Sequence, residues 1–200
     1  MDRSESRPAG RPRDADADDR IIDAAIEEYA VHGRSGYTLN GVARRAGVGK
    51  SSIYLRWPDK ESLLVDAVHT RTDAPDADTG TLRGDLERIA AWGLDYVLSP
   101  VGWVTVRIAI DGAEHRPDTA DPLVVGAPHI EALERVWERA RARGDIAPDA
   151  PTGVLLTMLY GSLVVSAMLD RERLLALDTS GRRDEVHQLV ELTLRAIGAH

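Results

Sequence analysis

Apolar positions along this chain recur with helical period, and no alternating run lasts long enough to make a sheet. Ile21, Ile22, Ala25, Ile26 and Tyr29 form a first stripe, with Asp18 or Asp19 placed to cap its start and Gly33 and Gly36 to end it. Thr38 is a good N-cap for a second helix whose inner face is Val42, Ala43 and Ala46. Gly47 can end that helix in the left-handed conformation. Val48 then fills the angle before a third helix that turns Ile53, Tyr54 and Trp57 inward. Pro58 breaks the chain, Asp59 caps a fourth helix, and Leu63, Leu64, Ala67 and Val68 are its buried stripe.

A polar tract, residues 72–81, separates this unit from a second helical one. There Leu82, Leu86, Ile89, Gly93, Tyr96 and Val97 keep helical spacing until Pro100 stops the run. Val101 to Ala113 predicts a short apolar helix, and His115 to Asp121 a loop. Pro128 opens a helix with Ile130, Leu133, Trp137 and Ala140 on one face, a Glu131–Arg135 pair on the other, and Gly144 at its end. Val154 to Leu169 is uncharged and apolar nearly all round, yet shorter than the roughly 20 residues of a membrane span. Such a helix is otherwise buried in protein, and in a chain of this size a second copy must cover part of it. Asp184 to Ile197 is a last amphipathic helix. The two together predict an antiparallel four-helix dimer interface through residues 152–170 and 184–198, which a charge at Leu163 should split. No membrane partner is expected.

Two short helices joined by a glycine turn, with a third across them, form the helix-turn-helix pattern, whose second helix enters the major groove of DNA. Charge agrees. Arg34, Arg44, Arg45, Lys50 and Arg56 lie between positions 34 and 58 with no acid among them, in a chain of net charge −8. The stretch from about Asp19 to Val68 closely resembles the DNA-binding domain of the TetR (tetracycline repressor) family, through Thr38, Val42-Ala43, Ala46-Gly47-Val48, Ser52-Ile53-Tyr54, Lys60-Glu61 and Leu63-Leu64. Trp57 stands where the family usually has Phe, and Gly49 where a hydroxyl residue often starts the recognition helix. The resemblance implies that Asn40, Lys50, Ser51 and Tyr54 face bases, and that Thr38, Ser52, Arg56 and Lys60 meet phosphates. Lys50 can donate to guanine O6 and N7, and Ser51 can donate or accept. Tyr54 has two roles open to it, packing its ring in the small domain and reaching DNA with its hydroxyl. Arg44 and Arg45 have two as well, backbone contact or a solvated helix face.

Composition narrows the rest. No Cys means no disulfide, no thiolate catalysis and no Cys-held metal. Residues 1–18 mix charge, Pro and Gly, read as a disordered arm, and carry no secretory pattern. None of the six His falls in a metal or catalytic motif, and His115 near Asp111 and Glu114 is the one cluster with acid–base character. Trp92, Tyr96, Trp103, Arg107, Asp111, Met158 and Tyr160 are the bulky or polar-edged residues that could line an apolar ligand cavity, unless each simply packs in a core or, for Arg107 and Asp111, pairs with its neighbour. The expectation is thus an all-α, cytoplasmic homodimer: a helix-turn-helix domain over 19–71, and an effector-binding and dimerisation domain over 82–200. It needs no cofactor or metal, and double-stranded DNA and a small-molecule effector are its partners. A ligand-binding helical dimer without DNA binding, or an enzyme, are the competing readings.

Overall fold

The computed structural model describes residues 15–115 and 128–197. They form α1 (Ala15–Gly36), α2 (Leu39–Ala46), α3 (Lys50–Tyr54), α4 (Lys60–Arg71), α5 (Leu82–Leu98), α6 (Pro100–His115), α7 (Pro128–Arg143), α8 (Thr152–Leu169), α9 (Arg171–Ala176) and α10 (Thr179–Ala196), with no strand among the described residues. The first fourteen residues of the expected arm and most of the loop after His115 lie outside them. Residues 15–18 already belong to α1, so Asp18 and Asp19 sit inside its first turns rather than at its cap.

Caps set the starts. Thr38 Oγ1 accepts the Gly41 amide at 3.1 Å, and Asp59 accepts the Ser62 amide at 2.7 Å while its own amide donates to Ser62 Oγ. Thr81 and Asp178 cap α5 and α10 the same way. Asp178 explains why the last helix starts at Thr179, five residues before its apolar stripe implied. Pro100 ends one helix and also opens the next, because a first-turn residue needs no amide hydrogen. Gly47 ends α2 at φ 68°, donating its amide to the Ala43 carbonyl. Gly41 is required for a different reason. A Cβ there would lie 1.8 Å from Glu28 Oε1, so α1 and α2 meet as closely as they do only because position 41 has no side chain.

Two apolar clusters result. Ile21, Tyr29, Val42, Ile53, Trp57, Leu63 and Leu64 centre the first, and Leu86, Leu94, Val136, Trp137, Leu159 and Val190 the second. The spatial division does not follow the chain, since Val104 and Ile108 of α6 pack in the first cluster. The polar tract 72–81 is non-helical but firmly tied. Ala77 is buried, Arg139 holds the Ala77 carbonyl at 3.0 Å and Asp76 at 2.9 Å, and Arg143 holds Asp85 at 2.8 Å. Arg135, expected to pair with Glu131, reaches Asp76 at 3.6 Å.

α8 runs eighteen residues, long and apolar enough by composition to cross a bilayer. Leu155, Leu159, Leu163 and Ala167 pack into the second cluster, while Val154, Met158, Val165 and Met168 face outward. Leu163 therefore belongs to the interior of one chain, where it would meet any side chain at Gly93, and is not the outward residue that the sequence implied.

Candidate nucleic-acid interface and ligand domain

α1 and α4 are the platform that presents α2 and α3. Ile53 of α3 is fully buried, whereas Lys50, Ser51 and Tyr54 turn outward. Tyr54 is 49% exposed, and the Lys50 ammonium lies 5.4 Å from its ring centroid. It is thus not an inward residue, and its ring and hydroxyl are available at the surface. Trp57 does pack inward, with its indole N–H donating to Asp66 at 2.8 Å. α3 starts at Gly49 without a side-chain cap, as the missing hydroxyl implies.

Thr38, Asn40, Lys50, Tyr54 and Lys60, from three different helices and a cap, line one open cleft of about 380 Å³, as do Asp59 and Glu61. Lys60 donates to the Tyr37 carbonyl at 3.3 Å, which ties the start of α4 to the end of α1. The Ser62 amide and hydroxyl hold the Asp59 carboxyl below its ordinary range, so this acid is committed to its cap. Ser52 is half-buried and Arg44 is exposed. Arg56, expected on a phosphate, sits 2.5 Å from Asp18 of α1, an acid that helix extension brings under α3. Arg45 is likewise taken by Glu28 at 3.1 Å and Glu27 at 3.3 Å. Glu28 is a buried carboxylate with His32 also 3.7 Å away. Arg45 and Arg56 of the island thus serve the fold.

The seven candidate ligand residues divide. Trp92, Tyr96 and Tyr160 come together, with His129 between the last two. Centroid separations along this column are 4.8 Å for Trp92–Tyr96, 5.4 Å for Tyr96–His129 and 4.9 Å for His129–Tyr160. His129 stands one residue after Pro128 with no motif around it, so nothing local in the sequence marks it. Burial, and secondarily His69, pushes its pKa down to about 4, so it is neutral at physiological pH. Its Nδ1 is buried and finds no hydrogen-bond partner among the described residues. Burial also raises the Tyr96 and Tyr160 hydroxyls above the ordinary phenol value.

The other four lie elsewhere. Arg107 donates to the Ala30 carbonyl at 2.6 Å, and Asp111 accepts from the Tyr29 hydroxyl at 2.9 Å and the Arg34 amide at 3.2 Å. Both join α6 to α1 instead of lining a cavity or pairing with each other, because the two helices run side by side across the domain boundary. Trp103 lies on the surface under Arg171, and Met158 is on the outward face of α8. A second bridge crosses the same boundary. The Tyr96 hydroxyl meets Thr72 Oγ1 at 3.1 Å and Thr105 Oγ1 at 2.8 Å, so one side chain touches the aromatic column, the end of α4 and α6. A separate cavity of about 600 Å³ lies between α5 and α10, but its Arg182 and His187 are matched by Asp95 at 2.5 Å and Glu87 at 3.7 Å. Of the cluster at His115, Asp111 is engaged with α1, the side chains of Glu114 and His115 lie outside the described ones, and no metal-binding group of three occurs among the described residues.

Known proteins share this plan. Residues 21–67 match the model of bacterial regulatory proteins of the tetR family, and residues 76–192 that of the tetracyclin repressor-like C-terminal domain. The HTH-type transcriptional regulator AqdR of Rhodococcus erythropolis is 30% identical over 145 residues, 72% of this chain and 70% of its own. Among solved structures, the flavonoid-responsive regulator FrrA superposes with a TM-score of 0.63 at 23% identity, over 91% of this chain and 97% of that one. The regulator FadR from Bacillus subtilis, in complex with stearoyl-CoA, does so with 0.62 at 16% identity, over 89% and 98%. With both domain models matched in order and a homologous regulator over most of its length, the chain belongs to the TetR family of helix-turn-helix transcriptional regulators.

Proposed function

We propose that this regulator is a cytoplasmic, non-enzymatic homodimer that represses from a palindromic operator and is released by a small-molecule effector. The observation that carries the DNA-binding face is the cleft in which Thr38, Asn40, Lys50, Tyr54 and Lys60 converge. Lys50, Ser51, Tyr54 and Asn40 read base edges, while Thr38, Ser52, Lys60 and Arg44 position the backbone. Arg56 contributes there only by releasing Asp18. The outward strip of α8, Val154, Met158, Val165 and Met168, with exposed Leu192 of α10, pairs with its equal in a second copy and does not span a membrane. Both recognition helices then dock when they stand about 34–36 Å apart, or a multiple of that turn. The effector acts on the aromatic column, and Tyr96 carries the change to Thr72 and so to α4.

Selection of retained sequences from random duplexes, using the full-length protein at physiological salt, tests this reading. A palindromic consensus is the expected result. On that consensus, Tyr54→Ala should weaken binding while light scattering still reports a dimer. Replacing Lys50 by Ala should also lower the slope of log affinity against log salt by about 1 if Lys50 meets a phosphate, and relax one base preference if it meets a guanine. No enrichment from folded dimer, with and without cell extract, would remove the operator-binding reading.

A further inference from the structure

Acids of α1 reach each of the three helices that follow it. Glu27 and Glu28 hold Arg45 of α2, Asp19 and Asp23 hold Arg71 at the end of α4 at 3.0 and 2.7 Å, and Asp18 holds Arg56 just beyond α3 at 2.5 Å. The last pair stands beside the DNA-reading face. Arg56 lies in the chain between Tyr54 and Pro58, both of which line the cleft of Thr38, Lys50 and Lys60. α3 is seated without this pair, since Ile53 is fully buried and the buried Trp57 is tied to Asp66 at 2.8 Å. Nor is the pair deep. The Arg56 side chain is 29% exposed and that of Asp18 35%, and an ion pair so open to water contributes little to folding.

Resting on the DNA-binding reading above, we infer that Asp18 sets the affinity of this chain for DNA: its carboxylate occupies Arg56 in the place of a backbone phosphate and holds binding below what the freed cation allows. Carboxylate and phosphate are both matched by the planar fork of guanidinium donors, so the two compete for Arg56. Asp18 is the standing competitor, because it is fixed on the same chain. A phosphate must first part the pair, and the energy of parting is taken from binding. Arg45 does not share this role in the same degree, since its partner Glu28 is a buried carboxylate that joins α1 to α2.

The test is titration of the full-length protein with random-sequence duplex DNA over a range of salt, followed by fluorescence anisotropy, because a phosphate contact needs no particular sequence. Asp18→Ala should bind about two- to fivefold more tightly than the wild type, the worth of one exposed ion pair. Its log affinity should also fall about 0.9 more steeply with log salt, the sign of one more phosphate met. Asp16→Ala makes the same change of charge in the same turn of α1 and should give a smaller gain and no such change of slope. In an Arg56→Ala background the gain from Asp18→Ala should shrink to that of Asp16→Ala. Asp18→Glu, which keeps the carboxylate, should bind as the wild type does. A gain no larger than that of Asp16→Ala, or one that persists in full without Arg56, overturns the inference. So does unchanged or weaker binding by an Asp18→Ala variant whose thermal unfolding is that of the wild type, which would make the pair a brace for α3. A wild-type chain that binds no duplex at low salt fails the DNA-binding reading itself, a result distinct from all of these.

Discussion

Replacing Gly41 by Ala separates the effect of close helix packing from that of helix propensity. On an exposed helix the change is favourable by up to about 1 kcal/mol. Here the added Cβ falls 1.8 Å from Glu28 Oε1 and 2.5 Å from its Cδ, where side chains do not approach below 3.0 Å. Either α2 lifts from α1 or the Glu28 carboxylate swings away from Arg45, which it holds through two hydrogen bonds of 3.1 and 3.3 Å. Overpacking of this kind costs about 1–3 kcal/mol. Loss of the charged contacts adds about 1 kcal/mol, reduced because the Arg45 side chain is 32% exposed. Set against the propensity gain, the net loss is about 1–3 kcal/mol, or a fall in Tm of roughly 2–12 °C for a chain of this size. Thermal unfolding followed by circular dichroism, at one fixed protein concentration, measures it. The deciding comparison is the same substitution in a Glu28→Ala background. With the carboxylate gone, Gly41→Ala should become neutral or stabilising. An equal loss in both backgrounds would refute the contact as the cause.

Three further outcomes are expected. His129 titrates near 6.5 when unfolded and near 4 when folded, so between those values the unfolded chain holds more protons; stability should be full above pH 6.5 and fall by up to about 3 kcal/mol toward pH 4. His129→Phe should flatten that part of the pH profile in urea titrations, and an unchanged slope would show that His129 is not its source. Gly49→Ser places a hydroxyl at the uncapped start of α3, where a Cβ meets only Ser51 Oγ at 3.7 Å; a gain of a few tenths of a kcal/mol is expected, and a lower Tm would count against the cap geometry. Val165→Glu should give monomers by light scattering with the fold intact, whereas Leu163→Glu should unfold the chain, and a stable dimer of Val165→Glu would remove the outward face of α8 from the interface.

Apolar period carried most of the fold into view, because the longer helices bury residues at helical spacing. The short α9 did not, since only Leu174 of it is buried and its limits are set by the break at Asp170. The helix-turn-helix was legible through local rules: Thr38 as cap, Gly47 as terminator, Ile53 and Trp57 as core. Charge was less so. Arg45 and Arg56 read as free cations because their partners, Glu28 and Asp18, lie seventeen or more residues away in sequence. Arg107 and Asp111 misled for the same reason, since spacing shows what shares a helix face but not which helix will face it. The aromatic column joins three helices, and its central His129 carries no local signal at all.

The anchoring of residues 72–81 bears on how such proteins can be recombined. Asp76, Ala77 and Thr79 are fastened to α7 and α5, so the segment is a splint belonging to the second domain and not a neutral hinge. A hybrid regulator that borrows another DNA-reading head should be joined at the end of α4. A seam cut beyond Asp76 inside the splint would part Arg139 or Asp85 from a partner, so the second domain would lose contacts of its own.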